Sequence, residues 1–280
     1  MKLNDLAKEL MSYGSIKALS SLVNILSFYV FVKFAPVDDI SDYVFLSTLL
    51  VWAPVLFLLG SDVALSRYLS LRNYLIISNW LLRIGLPVAI GLNIVIFFGW
   101  LLFDLPISYA VSILAITIWG YSTSIITLYL TYLRLRRKVT EYAAGSIPLI
   151  LGPAVGVIFY IFFGNIESLF FGNALFSLGF LLKIKLSTQF DLRKVKNSFE
   201  VFKSLIIFAA PSIPAGFLII FNVTFDRWFL VAFTNDTIVA NYGIALKLAS
   251  MFVLLSQVTI ATLMPYARRV LEVPSTRGKI

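Results

Sequence analysis

Apolar stretches long enough to cross a bilayer recur along this chain, separated by short segments that carry its charge. They lie at residues 16–34, 43–59, 84–103, 107–133, 143–163, 166–182, 205–225 and 238–263. A spanning helix needs roughly 20 mostly apolar residues, so the pattern predicts an all-α polytopic transmembrane bundle of about eight helices. Composition agrees: 60% of the residues are hydrophobic and 13% charged, against roughly 45–50% and about 25% in an ordinary soluble domain. There is no cysteine and no histidine. That removes disulfides, thiol chemistry, the commonest metal ligand and the commonest general base. No Ser-His-Asp triad or zinc catalysis is expected, and no metal or cofactor. The N-terminus lacks a small-residue cleavage site after a short apolar core, so the first apolar segment is expected to stay as a helix.

The net charge of +9 reads as topology, not as nucleic-acid binding, because the basic residues sit between spans. All of the 23 Lys and Arg except Lys33, Arg227 and Lys247 fall in alternate segments. These hold Lys2, Lys8 and Lys17; Arg67, Arg72 and Arg83; Arg134 to Lys138; Lys183 to Lys203; and Arg268 to Lys279. The opposite segments carry Asp38, Asp39, Asp42, Asp104, Glu167, Asp226 and Asp236. The expectation is eight spans with both termini cytoplasmic. The division expected is a six-helix lobe at 1–185, a basic linker at 186–204, two helices at 205–267 and a cytoplasmic tail at 268–280.

A faint repeat runs through the sequence. Phe34 precedes Asp42-Tyr43 by the interval that separates Phe233 from Asn241-Tyr242. The seventh span would then restart the first, six helices later and in the same orientation, as parallel repeats do. Taken at face value, this leaves a second lobe of only two helices, an expectation of truncation at the C-terminus.

Polar groups inside spans are costly and usually face a bundle interior or an aqueous cavity. On the first span, Tyr13, Lys17, Ser20, Ser21 and Asn24 share one helical face. Either Lys17 snorkels and the serines pack, or the face is wet; Asn24, two turns deeper than Lys17, favours the wet face. Thr117, Tyr121, Ser124 and Thr131 read as packing or back-bonding on the fourth span, and Gly152-x-x-x-Gly156 as a close helix contact. Asp62 and Arg67 are five apart and do not share a face, so each is expected to meet another helix or to sit at the interface. Pro211 and Pro214 predict a kink in the seventh span. Beyond them Asn222 and Asp226 share a face near the outer end, with Asp226-Arg227 either functional or simply exposed there. Lys247, Ser250 and Gln257 cluster within about a quarter-turn on the eighth span.

These motifs carry a family resemblance. Gly60-Ser-Asp-Val-Ala-Leu-Ser-Arg-Tyr68 resembles the second-helix signature of bacterial O-antigen and polysaccharide flippases, Gly-Leu-Asp-x-Ala-x-x-Arg, with Ser61 in place of the apolar residue. Pro211-Ser-Ile-Pro214 through Asp226-Arg227 is similar to their seventh helix, and Asn241-Tyr242-Gly243 through Lys247-Leu248-Ala249 to their eighth. The resemblance implies the multidrug/oligosaccharidyl-lipid/polysaccharide exporter superfamily, with twelve or fourteen helices in two lobes. It implies a non-enzymatic flippase in the bacterial inner membrane that moves undecaprenyl-diphosphate-linked oligosaccharide by alternating access, with a polysaccharide polymerase as a candidate partner and no nucleic acid. Lys17, Asn24, Arg67, Lys247 and Gln257 would contact substrate. Asp62, Asn222, Asp226 and Arg227 would balance charge or couple to an ion. The alternative is a cation-coupled multidrug exporter, whose cationic substrates favour a cavity dominated by carboxylates. A membrane glycosyltransferase or polymerase lacks support, with no large external loop, no Asp-x-Asp and no histidine.

Reporter fusions test the topology. Fusions after Arg137 and after Lys196 should report cytoplasm and a fusion at Asp38 the outside; a cytoplasmic signal at Asp38 overturns the map.

Overall fold

A computed structural model describes residues 3–68, 71–103, 107–187, 198–250 and 252. Among the described residues the chain is helical without strands, and seven helices are long and apolar enough to cross a membrane. Their outer surfaces are apolar: Phe162 is 80% exposed and Leu218 71%. Water does not tolerate such a surface at this extent, and lipid does.

The helices are α1 (Leu3–Phe34), α2 (Val37–Leu58), α3 (Ser61–Arg67), α4 (Leu71–Phe103), α5 (Ile107–Leu135), α6 (Val139–Gly145), α7 (Ile147–Phe163), α8 (Ile166–Ser187), α9 (Ser198–Ala209) and α10 (Ser212–Phe233). An eleventh, α11, occupies residues 236–250. The eighth expected span, 238–263, is therefore described only in its first part, and residues 253–263 lie outside the described residues. The basic linker expected at 186–204 is likewise described only in part: its first two residues belong to α8, and residues 188–197 lie outside the described residues.

Several boundaries differ from the sequence expectation. The third span was expected to start at Ile84 after a loop containing Arg72 and Arg83. Instead α4 starts at Leu71, because residues 74–82 are themselves mostly apolar and one charge does not end a helix. Arg83 lies inside it, its guanidinium 5.5 Å above the Trp80 ring. The paired prolines do more than kink the seventh span. Pro211 cannot donate a backbone hydrogen bond and disfavours helix before it, so α9 ends at Ala209 and a separate helix, α10, begins at Ser212. That helix runs on to Phe233, which puts Asp226 and Arg227 inside it and not in a loop. Asp38, Asp39 and Asp42 likewise belong to α2.

Leu59 and Gly60, both left-handed at φ 49° and 71°, break α2 from α3. A Cβ at Gly60 would lie 2.5 Å from Ser212 Oγ, so the turn needs glycine for conformation and for space.

The core has two buried clusters. One contains Tyr13 edge-on to Tyr142 and Tyr74 stacked on Tyr132, with centroids 4.9 and 4.5 Å apart. The other gathers Phe31, Tyr160 and Phe170 near the Phe34–Val37 turn. At that end Tyr160 Oη donates to Asp39 at 2.6 Å, and Tyr109 Oη donates to Asp42. Carboxylates that would be costly in lipid thus anchor α2 to α7 and α5.

Several expectations about packing are borne out. Thr117 and Ser124 back-bond to the carbonyls of Ile113 and Gly120 at 2.8 and 2.7 Å, and Tyr121 donates to Leu82 at 3.1 Å. Gly152 and Gly156 let α8 approach α7: Asn173 lies across both. The repeat also has a structural counterpart. Phe34 and Phe233 end α1 and α10, and the offset between them carries the start of α2, at Val37, onto the start of α11 at residue 236. Val44 and Gly243 stand at the same offset and touch each other, a Cβ on Gly243 falling 2.0 Å from Val44 Cγ2.

A Cβ at Gly156 would fall 2.0 Å from Asn173 Nδ2 and 2.7 Å from the Leu169 carbonyl. Gly156→Ala should therefore lower stability in detergent by about 1–3 kcal/mol, read as a lower thermal midpoint. Gly179→Ala, with open space around it, should stay within about 0.5 kcal/mol or gain slightly.

Candidate functional site

A cavity of 460 Å³ lies between the α1–α2 hairpin and the α10–α11 hairpin, its polar groups supplied mainly by α1 and α11. Its walls are α1, α2, α10 and α11, with Trp119 of α5 at its side. Ser20, Ser21 and Asn24 come from α1, Ser47 from α2, Arg227 from α10, and Lys247 and Ser250 from α11. Among the described residues no Asp or Glu lines it.

Local chemistry fixes several of these groups. Pro153 has no N–H for the Leu149 carbonyl one turn back, and Ser20 Oγ donates to that carbonyl at 3.3 Å. Asp226 accepts a hydrogen bond from Tyr242 Oη and another from the Arg227 backbone N–H at 2.8 Å, which occupies the carboxylate and joins α10 to α11. Trp228 Nε1 donates to Thr48 Oγ1 at 2.8 Å and its ring stacks on Trp52, joining α10 to α2. Arg227 is left facing the cavity, its Nε buried without a hydrogen-bond partner. Lys247 Nζ lies 5.3 Å from the Phe28 ring centre and 5.9 Å from that of Tyr43. Among the described residues neither cation forms an ion pair with a carboxylate.

A chamber of 30 Å³ borders the cavity behind Asn24 and Ser27 and reaches Asn173. It is large enough for one water. Asn173 donates through Nδ2 to the Leu169 carbonyl at 2.9 Å, and its Oδ1 is buried without a partner.

The sequence-predicted residues separate into groups. Asn24, Arg227 and Lys247 meet at the cavity. Asp226 stands beside it, held by Tyr242. Lys17 does not line it; it sits half-buried, close enough to Arg134 for the two cations to repel. The polar stripe on α1 therefore divides, with Tyr13 buried at one end and only Ser20, Ser21 and Asn24 reaching the cavity. Asp62 and Arg67 lie on α3, away from the cavity, and Arg67 is exposed. Asn222 is also exposed, on the outer face of α10. Gln257 lies outside the described residues.

Sequence reasoning missed Phe28, Tyr43, Ser47 and Trp119. Three of them are aromatic and are indistinguishable by type from the chain's other aromatics. Ser47 carried a weak signal, one helical turn beyond Tyr43 on the same face of α2.

No protein-family model, no curated protein and no solved structure matches this chain. The function is accordingly argued from the cavity itself.

Tyr242→Phe removes one partner of the Asp226 carboxylate. It should cost about 1.5–3 kcal/mol, the range for hydrogen bonds to charged groups, seen as a lower unfolding midpoint. Asn222→Ala, on the exposed side of the same helix, should change stability by less than about 0.5 kcal/mol. An equal effect of the two substitutions contradicts this placement of Asp226.

Proposed function

We propose that this chain translocates a polyprenyl-diphosphate-linked oligosaccharide, such as the undecaprenyl-linked repeat unit of a surface polysaccharide, across the bacterial inner membrane. The observation that carries the reading is a cavity between candidate membrane-spanning helices that holds Lys247 and Arg227 and, among the described residues, no carboxylate. Two cations that form no ion pair among the described residues attract a compact polyanion, and a diphosphate accepts charge-assisted hydrogen bonds from both. The hydroxyls of Ser20, Ser21, Ser47 and Ser250, with the Asn24 amide, suit sugar hydroxyls. The prenyl chain stays in lipid, against the exposed apolar surfaces of the helices. Movement of the α10–α11 hairpin against the α1–α2 hairpin would open and close the cavity, with the α2–α10 seam around Thr48, Trp52 and Trp228 as the contact that must shift. Of the residues expected to contact substrate, Asn24 and Lys247 keep that role in this proposal, and Arg227 moves from charge balance to binding. Asp226 keeps its charge-balancing role.

The drug-exporter reading is the weaker one. Its cationic substrates need acidic partners, and the described cavity walls provide none.

The test is equilibrium binding to the purified chain in detergent. Inorganic pyrophosphate should bind, and added salt should weaken it. Lys247→Gln and Arg227→Gln should each reduce affinity by roughly tenfold or more, the loss of one charge-assisted hydrogen bond. Binding of tetraphenylphosphonium without binding of pyrophosphate would favour the exporter and reject the flippase.

A further inference from the structure

We propose that Phe28 and Tyr43 form a resting seat for the Lys247 ammonium, from which an anion entering the cavity draws it away. The inference rests on the reading of the cavity as an anion site. Nζ faces both rings, at 5.3 and 5.9 Å from their centres, and the rings lie 5.4 Å apart at an interplanar angle of 36°. An ammonium in the membrane interior without a partner is costly. Two ring faces offset part of that cost, because each presents the negative part of its quadrupole to the cation. Among the described residues no carboxylate competes for it.

The strength of the seat matters. Attraction between an ammonium and a ring face is weaker than a charge-assisted hydrogen bond to a phosphate oxygen. The rings therefore hold Lys247 while the cavity is empty and yield it to an anion. A carboxylate in the same place would keep the lysine and neutralise the site. The backbone beneath Lys247 is fixed one turn away, where Gly243 rests against Val44, so the flexible four-carbon stem does the moving. Arg227 differs: its Nε is already buried, and among the described residues no aromatic ring lies over its guanidinium. The two cations then have separate tasks, Arg227 as a fixed contact and Lys247 as a mobile one. Phe28 and Tyr43 are positioning residues that act through Lys247.

The seat makes a prediction of unusual sign. Removing a ring that competes with the anion should tighten anion binding. Phe28→Leu keeps apolar bulk and should bind inorganic pyrophosphate about tenfold more tightly than the parent chain, a factor within the range of a desolvated cation–ring contact. Phe28→Tyr, which keeps a ring face, should match the parent. In a Lys247→Gln background Phe28→Leu should give no tightening. Should Phe28→Leu not fold, Tyr43→Leu gives the same reading. Unchanged or weaker binding by both leucine variants, with Lys247-dependent binding by the parent intact, rejects the seat and leaves the anion site standing. Absence of pyrophosphate binding by the parent chain rejects both.

Discussion

Hydrocarbon offers no water to solvate a charge, so every charged group within this bundle must be partnered inside the protein or face an aqueous space. The rest of the structure follows from how that constraint is met. Carboxylates near the Phe34–Val37 turn are satisfied by tyrosines on other helices: Asp39 by Tyr160 and Asp42 by Tyr109. Asp226 is satisfied by Tyr242 in the same manner. Among the described residues Lys247 and Arg227 have no such acidic partner, and they open onto the cavity. Acids are thus used as structural ties, and two bases remain available to a ligand.

Close packing keeps these groups in place. Without a hydrophobic drive between helices in lipid, association depends on small residues and on cross-helix hydrogen bonds. Gly120 meets Ala53 between α5 and α2, Gly156 meets Asn173 between α7 and α8, and Gly216 meets Val55 between α10 and α2. The contact between Gly243 and Val44 has a further meaning, because the two positions correspond under the internal offset. A contact between equivalent positions is what a local two-fold relation of two hairpins produces, and the cavity lies between those hairpins. The polar walls come mainly from α1 and α11, and the α2–α10 seam is closed by Trp52, Trp228 and Thr48.

The class of fold was legible in the sequence because long apolar runs allow few alternatives. The close helix contact at Gly152 and Gly156, the back-bonding of Thr117 and Ser124, and the hairpin repeat were legible for a similar reason: each depends on local spacing. What remained hidden depended on long-range contact. Arg83 looked like a loop residue until Trp80 was seen beneath it. Asp226 and Arg227 looked like the outer end of a span because the break at Pro211 shifts the helix toward Phe233. At the site, Asn24, Arg227 and Lys247 were found from the rarity of polar groups in spans. Lys17 and Arg67 satisfied the same criterion and lie elsewhere, since sequence spacing does not say which neighbour a helical face meets. The aromatic seat carried no signal in a chain with 25 phenylalanines and 13 tyrosines.

An anion site between the two hairpins requires a cavity that is electropositive and open to small anions. The chain contains no cysteine, so a single cysteine placed at Ser47, in the cavity wall, reports on that space alone. Its rate of reaction is to be compared for a negatively charged and a positively charged methanethiosulfonate of similar size. The account predicts faster reaction with the anionic reagent, by about tenfold as for electrostatically focused clefts, and a smaller ratio once Lys247 is changed to Gln. Equal rates, or faster reaction with the cationic reagent, would contradict it.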